Sequence, residues 1–275
     1  MPCVLEVNAP LVDEQARHRG LALADAARAT ELRVVREADR VVTVSRALER
    51  WLLSLGVEPT RVAVVPNGVD AARFTVPAGE RASVRATLAR NGAALVGFAG
   101  SLKPWHDISG LIAATAALSR GSRSVKLVVI GEGPGRETLE AQARRAGVDA
   151  VFTGGLPYER VPAHVAALDV AVAPYASADD FYFSPLKVVE YLAAGVPVVA
   201  ADVGDLRHCV SPGRTGWLYK PGDADGLARA IATALEDPHA PRIAQAGRDH
   251  ARHEHSWRDN AARVVELAAA AGGDG

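Results

Sequence analysis

The stretch FYFSPLKVVEYLAAGVPVVA places an ammonium and a carboxylate close to the start of a predicted helix. Ser184 has the side chain of a good N-cap, and Pro185 suits the first helical position. The free amides of Leu186 and Lys187 would then point out of the helix end. Such amides, with the helix dipole behind them, form a binding site for a diphosphate.

Glu190 lies about one turn beyond these amides. A carboxylate can accept hydrogen bonds from two vicinal hydroxyls, such as those of a ribose. The alternative is a solvated ion pair between Lys187 and Glu190, which would contribute only about 0.2 to 0.5 kcal/mol. The apolar neighbours Val188, Val189 and Tyr191 leave little room for a solvated face, so we favour the ribose interpretation.

A second loop that could bind phosphate is FAGSLKPWHD, which follows a predicted strand. Ser101 offers a hydroxyl, and Lys103 and His106 offer two potential cations ahead of a helix that begins near Asp107. The alternative is a surface loop in which Trp105 packs as an anchor.

A third loop, VVIGEGPGRETLE, contains Gly131, Gly133 and Gly135. A dinucleotide fingerprint requires a glycine at the next position, which is Arg136, and it follows the first strand of its unit, which this loop does not. A nicotinamide or flavin site is therefore disfavoured. The glycines instead predict a tight turn beside a ligand or a neighbouring helix.

Short apolar segments rich in valine alternate with helical stretches along the chain. Their continuous apolar character indicates strands buried on both faces, as in a parallel sheet. The fold class predicted from this rhythm is α/β, a Rossmann-like parallel sheet with helices on both faces. The segments are RVVTVS (40–45), RVAVVP (61–66), ALVGFAG (94–100), VKLVVIG (125–131), DAVFTG (149–154), DVAVAPY (169–175) and VPVVAAD (196–202).

Helix signals lie between the strands. The sequence predicts one helix over residues 135–147, one from Asp223 to the residue before Pro238, and a last one from about Trp257. The turn sequence PNGVD, residues 66–70, predicts a domain boundary.

Composition excludes several classes of protein. The 31 basic and 32 acidic residues nearly cancel and form no basic stripe, so no nucleic-acid partner is expected. Cys3 and Cys209 are far apart and have no metal-binding spacing, so neither a disulfide framework nor a metal site is predicted. No apolar run reaches the ~18 residues of a membrane span, and no leader is recognised. We expect a cytoplasmic protein, for which a peripheral membrane contact stays open.

Taken together, the segments resemble the family 4 glycosyltransferases of the GT-B fold. The resemblance is carried by ADRVVTVSRALERWL, VAVVPNGVDAARF, FAGSLKPWHDISGLIAA, VVIGEGPGRETLEAQARRAG, FTGGLPYERVPAHVAALDVAVAPY, SPLKVVEYLAAGVPVVA and GRTGWLYKPGDADGLARAI. It covers nearly the whole chain, and the order and spacing of so many segments make it specific.

The resemblance implies roles for individual residues. Glu190 matches the second glutamate of the family's ExxxxxxxE motif, which holds the ribose hydroxyls. Ser184, Pro185, Leu186 and Lys187 match the segment whose backbone meets the diphosphate and sugar, and Gly155 and Leu156 match the loop that borders the nucleobase.

Four positions differ from the family pattern. Tyr182 occupies the position of the first glutamate, so that a phenol or backbone amides would contact the donor sugar. Ser101 and His106 stand where the family presents an arginine and a lysine to the diphosphate, and Lys103 would compensate for their charge. Asp107 replaces a glycine and would add a carboxylate near the phosphates.

The resemblance also implies a domain organisation. Residues 1–66 would be a remnant of the N-terminal acceptor-side domain, in which VLEVNAPLVDEQARHRG resembles a strand and loop. Residues 67–252 would form the nucleotide-sugar donor-binding domain, and residues 253–275 a helix that crosses back to the N-terminal part. A second polypeptide or a homo-oligomer would cover the incomplete domain.

The function implied is transfer of a sugar, with retention and without a metal, from a UDP- or GDP-type nucleotide sugar to an unknown acceptor hydroxyl. The nucleotide sugar is a substrate, and no cofactor and no catalytic base are assigned. The alternative is a noncatalytic nucleotide-sugar-binding half, or partner subunit, that requires a second chain for the acceptor domain.

Overall fold

The computed structural model describes residues 2–18, 20–89, 92–121, 123–177, 181–182 and 184–272 of the 275-residue chain. The chain divides into two compact units. The first consists of Met1–Gly68, Asp180–Ser184 and Trp257–Gly275, and the second of Val69–Asp179 and Pro185–Ser256.

The first unit contains a three-stranded parallel sheet in the order β1-β2-β3. Its strands are β1 (Val4–Val7), β2 (Arg40–Thr43) and β3 (Val62–Val64). Its helices are α1 (Leu11–His18), α2 (Ala24–Glu37), α3 (Arg46–Ser54) and α12 (Trp257–Gly272).

The core of the first unit lies between the sheet and its helices. Val41 of β2 and Leu52 of α3 are fully buried there and pack with Val35 of α2. The chain turns from β2 into α3 at Ser45, whose Oγ accepts from the amide of Leu48 at 3.2 Å and so caps the helix.

The second unit contains a six-stranded sheet in the order β6-β5-β4-β7-β8-β9, and every neighbouring pair is parallel. Its strands are β4 (Ala94–Ala99), β5 (Val125–Ile130), β6 (Ala150–Phe152), β7 (Val170–Ala173), β8 (Val198–Ala201) and β9 (Trp217–Tyr219). Its helices are α4 (Ala78–Leu88), α5 (Ile108–Ser119), α6 (Arg136–Arg145), α7 (Val161–Ala166), α8 (Leu186–Ala193), α9 (Leu206–Cys209), α10 (Ala224–Glu236) and α11 (Ala240–Glu254).

The helices of the second unit cover both faces of its sheet, because α5 packs with α6 and α10 while α8 packs with α7 and α11. The order of the six strands reverses between β4 and β7. The connections from these two neighbouring strands therefore leave in opposite directions and open a crevice beyond their carboxyl ends, where ligands bind in such sheets.

The seven predicted strands are confirmed as β2 to β8. The helices predicted over residues 135–147, from Asp223 and from Trp257 correspond to α6, α10 and α12. Strand β9 and helix α11 were not predicted. The stretch expected to be a strand and loop contains β1 but continues into α1, so the predicted loop is wrong. In the described part of the chain, no helix is both long enough and apolar enough to cross a bilayer.

Candidate active site at the switch point of the second sheet

The loops that leave β4 and β7 meet beyond the carboxyl ends of these strands. His106, in the loop after β4, forms an isolated antiparallel bridge with Tyr175, which follows β7. The ring centroids of the two side chains are 5.4 Å apart. His106 and Tyr175 therefore pack against each other at the switch point, beyond the carboxyl ends of β4 and β7.

Both ring nitrogens of His106 form hydrogen bonds inside the protein. Nδ1 lies 2.7 Å from the carbonyl oxygen of Ser101, and because a carbonyl only accepts, Nδ1 carries the proton. Nε2 then accepts from the ammonium of Lys187 at 2.8 Å. Burial and the charge of Lys187 lower the pKa of His106 to about 4, although the hydrogen bond to Ser101 raises it in part. The prediction that His106 presents a cation is wrong, because its imidazole is neutral.

The Lys187 ammonium is the cation of this cluster. It also donates to the hydroxyl of Tyr175 at 3.2 Å, and it lies 5.7 Å from the ring centroid of Phe98. Burial lowers the pKa of Lys187 to about 8, although the charge of Glu190 counteracts part of this effect. Near pH 7 the side chain is still mostly protonated, held by neutral acceptors and aromatic rings.

Glu190 lies one turn further along α8. Its Oε1 accepts from the hydroxyl of Tyr158 at 2.9 Å. Burial raises the pKa of Glu190, while the Tyr158 hydrogen bond and the charge of Lys187 lower it. The hydrogen bonds of Lys187 and Glu190 thus go to different partners, which disfavours the interpretation of the two as a simple ion pair on a solvated face.

The start of α8 differs from the prediction. The helix begins at Leu186, so Pro185 occupies the cap position rather than the first helical position. The side chain of Ser184 does not cap the helix. Its Oγ accepts instead from the backbone amide of Asn67 at 2.9 Å, within the first unit. The predicted capping role of Ser184 is therefore wrong.

The amides of Leu186 and Lys187 still belong to the first turn of α8. The amides of the next two residues, Val188 and Val189, donate to the carbonyl of Pro185 at 2.9 and 3.2 Å. An α-helix supplies no partner from its own turns to its first amides, so those of Leu186 and Lys187 are available to an anion.

Tyr182 belongs to the first unit. Its hydroxyl donates to Oε2 of Glu14 at 3.0 Å, and its carbonyl accepts from Oγ of Ser45 at 2.7 Å. The contact of Tyr182 with a donor sugar stays a prediction.

The glycine-rich loop after β5 approaches the loop after β4 very closely. Gly131 has a φ of 137°, and a Cβ on it would collide with the carbonyl oxygen of Gly100. A Cβ on Gly133 would lie 2.7 Å from the amide nitrogen of Leu102. The predicted tight turn is present, and its close neighbour is the adjacent loop rather than a helix.

Arg136, which stands where a dinucleotide fingerprint has glycine, joins this loop to β6. Its guanidinium pairs with Glu132 at 2.6 Å and Glu140 at 2.7 Å, and it donates to the carbonyl of Phe152 at 3.2 Å. The backbone amide of Gly133 also donates to Glu132 at 3.3 Å, and both contacts lower the pKa of that carboxylate, with the larger effect from Arg136. Exposed Gly155 and half-buried Leu156 thus lie on a loop that is anchored at one end.

The rest of the loop after β4 is more open. Ser101 is exposed, and Nζ of Lys103 lies 5.9 Å from the ring centroid of Trp105, which is itself 36% exposed. Asp107 caps α5, since its carboxylate accepts from the amide of Gly110 at 2.8 Å. The Asp107 carboxylate therefore stabilises the helix start.

Three residues of this cluster could not be recognised as site residues from sequence motifs: Tyr158, Tyr175 and Arg73. Tyr175 ends the segment DVAVAPY, and its position at the carboxyl end of a predicted strand was a usable signal. Tyr158 follows the GGLP turn, whereas Arg73 lies in a stretch without periodicity. Among the residues that the structure describes, no group of three His, Cys, Asp or Glu side chains could hold a metal ion.

The strand order, with its reversal between β4 and β7, defines the second unit as a doubly wound, Rossmann-like α/β domain. The chain belongs to the family described as "Glycosyl transferases group 1", which matches residues 80–250. A second family, "Glycosyltransferase Family 4", matches residues 8–73. The resemblance stated from sequence is thereby confirmed.

Two curated relatives illustrate the similarity. A GDP-mannose-dependent alpha-(1-6)-phosphatidylinositol monomannoside mannosyltransferase of Mycolicibacterium smegmatis is 32% identical over 254 residues, which are 90% of this chain and 66% of the relative. The 2-deoxystreptamine glucosyltransferase of Streptomyces kanamyceticus is 33% identical over 80% of this chain and 58% of its own length. The chain spans 54% to 66% of the length of the curated relatives compared with it.

Solved structures share the fold. HepE from Anabaena, crystallised with UDP-glucose, has a TM-score of 0.81 at 23% identity, over 98% of this chain and 72% of its own. WaaG, a glycosyltransferase involved in lipopolysaccharide biosynthesis, has a TM-score of 0.75 at 20% identity, over 96% of this chain and 75% of its own. The predicted fold class, a Rossmann-like parallel sheet with helices on both faces, is confirmed.

Proposed function

We propose that the chain binds a UDP- or GDP-type nucleotide sugar at the switch point of the second sheet and transfers its sugar, with retention, to an acceptor hydroxyl. The observation that carries the proposal is the position of Lys187 in the first turn of α8 and of Glu190 one turn further along, beyond the carboxyl ends of β4 and β7. Family membership supports it, since one relative is named as GDP-mannose-dependent and one neighbour was crystallised with UDP-glucose.

The chemistry of the residues fits the parts of such a donor. The amides of Leu186 and Lys187 and the Lys187 ammonium would bind the diphosphate and stabilise the charge that develops when the glycosidic bond to it breaks. Lys103 would add a second cation from the loop after β4. The Glu190 carboxylate would accept from ribose hydroxyls, and the backbone around Gly155 would border the base.

Calorimetric titration of the purified chain with UDP, GDP and NAD tests this proposal. We expect UDP or GDP to bind and NAD not to bind. Glu190→Gln should weaken nucleotide binding about 10- to 100-fold, because it removes a charge-assisted hydrogen bond. Glu236→Gln, at the exposed end of α10, is the matched control and should leave the affinity unchanged.

Binding of NAD instead of UDP or GDP would overturn the proposal in favour of an oxidoreductase. If nucleotide affinity is the same in Glu190→Gln and wild type, Glu190 does not hold the ribose. A proton NMR assay of the anomeric configuration of sugar released from UDP- or GDP-sugars then tests retention: an inverted product would contradict that part of the proposal.

A further inference from the structure

The hydroxyl of Tyr158 is bound to the carboxylate that the proposed function assigns to the ribose. Tyr158 begins a 3₁₀ turn, Tyr158–Arg160, that follows the loop of Gly155 and Leu156. Its side chain is 47% exposed, and the guanidinium carbon of Arg73 lies 5.8 Å from its ring centroid. The phenol is thus held at the rim of the site, with Glu190 at its hydroxyl and Arg73 over its ring.

This hydrogen bond has a fixed direction. Burial, followed by the nearby charge of Glu190, raises the pKa of Tyr158 to about 12, so the phenol keeps its proton and donates it. The carboxylate must then be the acceptor, through Oε1. A carboxylate can accept about four hydrogen bonds, so Oε2 retains its capacity for a ligand hydroxyl.

We propose that Tyr158 is a positioning residue that holds the Glu190 carboxylate in its acceptor form and in one orientation, with Oε2 left to accept from a ribose hydroxyl of the nucleotide. The inference rests on the proposed function, because it assigns a partner to the residue that would bind the ribose. It adds a determinant of affinity on the loop side of the site, outside helix α8.

The groups around Tyr158 and Glu190 decide in which direction the pKa of Glu190 moves when the Tyr158 hydroxyl is removed. Two groups favour the charged form of Glu190 against burial, the Tyr158 hydrogen bond and the charge of Lys187. Loss of the hydroxyl therefore raises the pKa of Glu190, and the carboxylate becomes protonated at a higher pH. The other titratable or charged groups near the pair are Tyr191 on α8, and Arg73 and Asp70 beside the phenol.

Two measurements on the full chain test the inference with Tyr158→Phe. Carbon-13 NMR titration of the Glu side chains follows the Glu190 carboxyl without any ligand, and the signal is assigned by its loss in Glu190→Gln. Calorimetric titration with UDP and GDP between pH 5 and pH 7.5 follows the affinity. Thermal unfolding shows whether Tyr158→Phe is folded, which its half-exposed position favours.

We expect the Glu190 titration to move to higher pH in Tyr158→Phe. Nucleotide affinity at pH 7 should fall about 5- to 10-fold, and it should begin to fall with acidification at a higher pH than in wild type. Glu190→Gln should remove the difference between the two pH profiles and keep only the acid dependence of the nucleotide's own terminal phosphate, which titrates at about pH 6. Glu236→Gln should retain the wild-type profile.

An unchanged Glu190 titration in a folded Tyr158→Phe variant would overturn the inference. An unchanged affinity and pH profile would also overturn it, and would leave the proposed function intact if Glu190→Gln still weakens binding. Failure of wild type to bind UDP or GDP would overturn the proposed function and the ribose contact with it. The two failures are therefore distinguishable.

Discussion

The Lys187 ammonium donates a 2.8 Å hydrogen bond to Nε2 of His106, so that two side chains that can each carry a positive charge share a single one. The proton on Nδ1, held by the Ser101 carbonyl, makes the other ring nitrogen an acceptor. His106 therefore supports a cation rather than adding one. The positive charge of this cluster is concentrated on Lys187, in the first turn of α8.

The neutral state of buried His106 makes the folding stability depend on pH in the acid range. Its pKa is about 4 in the folded protein and 6.5 as the ordinary value, so between these values the unfolded chain binds more protons. Stability should fall as the pH decreases from 6.5 to 4, by up to roughly 3 kcal/mol from this residue.

The comparison of wild type with His106→Gln isolates this contribution. The glutamine can accept from Lys187 and does not titrate, so urea unfolding should show a variant that loses less stability between pH 6.5 and pH 4.5. The exposed His253→Gln is the control and should follow wild type. Parallel curves for His106→Gln and wild type would contradict a neutral, buried imidazole.

Lys187 acts in the same direction as His106, but in an alkaline pH range. Because burial lowers its pKa from 10.5 to about 8, the unfolded chain binds more protons between these values, and stability should rise with pH across this range. Relative to Lys187→Met, wild type should gain about 2 to 3 kcal/mol between pH 8 and pH 10.5. At pH 7 the variant should bind UDP or GDP at least 10-fold more weakly.

Urea unfolding at pH 7.5 to 10.5 and calorimetric titration at pH 7 provide the two readouts for Lys187→Met. Lys220→Met, which removes an exposed lysine, should change neither. Full nucleotide affinity in Lys187→Met would show that its ammonium is not part of the site.

The strands and the site helix could be predicted because their signals are local. DVAVAPY is a continuous apolar segment that ends at the site residue Tyr175, and SPLKVVEYLAAG has a helical pattern that ends at a glycine. Strand β9 was missed because its sequence WLY contains no valine or isoleucine, whereas the equally short strands β3 and β6 each contain valine.

The partners within the site could not be predicted in the same way. Lys187 and His106 are 81 residues apart, and Glu190 and Tyr158 are 32 apart. Only the reversal of strand order at β4 and β7 brings the loops together. The expected cation at His106 was wrong for the same reason, since its burial and its lysine neighbour arise from the tertiary fold.

The close approach of Gly131 to Gly100 predicts that a single methyl group at position 131 strongly lowers the free energy of unfolding. Alanine at position 131 would have to adopt a φ of 137° and would bring its Cβ against the carbonyl oxygen of Gly100. We expect Gly131→Ala to destabilise the chain by about 3 kcal/mol or more in urea unfolding. Gly147→Ala is matched in its positive φ of 68° but meets nothing within 4 Å, so it should cost only about 1 kcal/mol. Equal losses would contradict the close approach of the two loops.

Asp169 offers a test of whether stability and binding can be separated in the second unit. Its Oδ2 accepts from the amide of Leu95 at 2.7 Å and from the guanidinium of Arg85 at 2.9 Å, at the amino ends of β4 and β7. Because Leu95 is fully buried, Asp169→Ala leaves its amide without this acceptor and should cost about 1 to 3 kcal/mol in urea unfolding.

Asp169→Asn is the matched variant, since its amide oxygen can still accept from Leu95 while the charge facing Arg85 is lost. The ion pair is about one third exposed, so its loss should cost less than about 1 kcal/mol. Both variants should bind UDP or GDP with the wild-type affinity, because Asp169 lies at the amino ends of the strands and the proposed donor site lies beyond their carboxyl ends. A loss of nucleotide affinity in folded Asp169→Asn would argue against a donor site at the carboxyl ends of the strands.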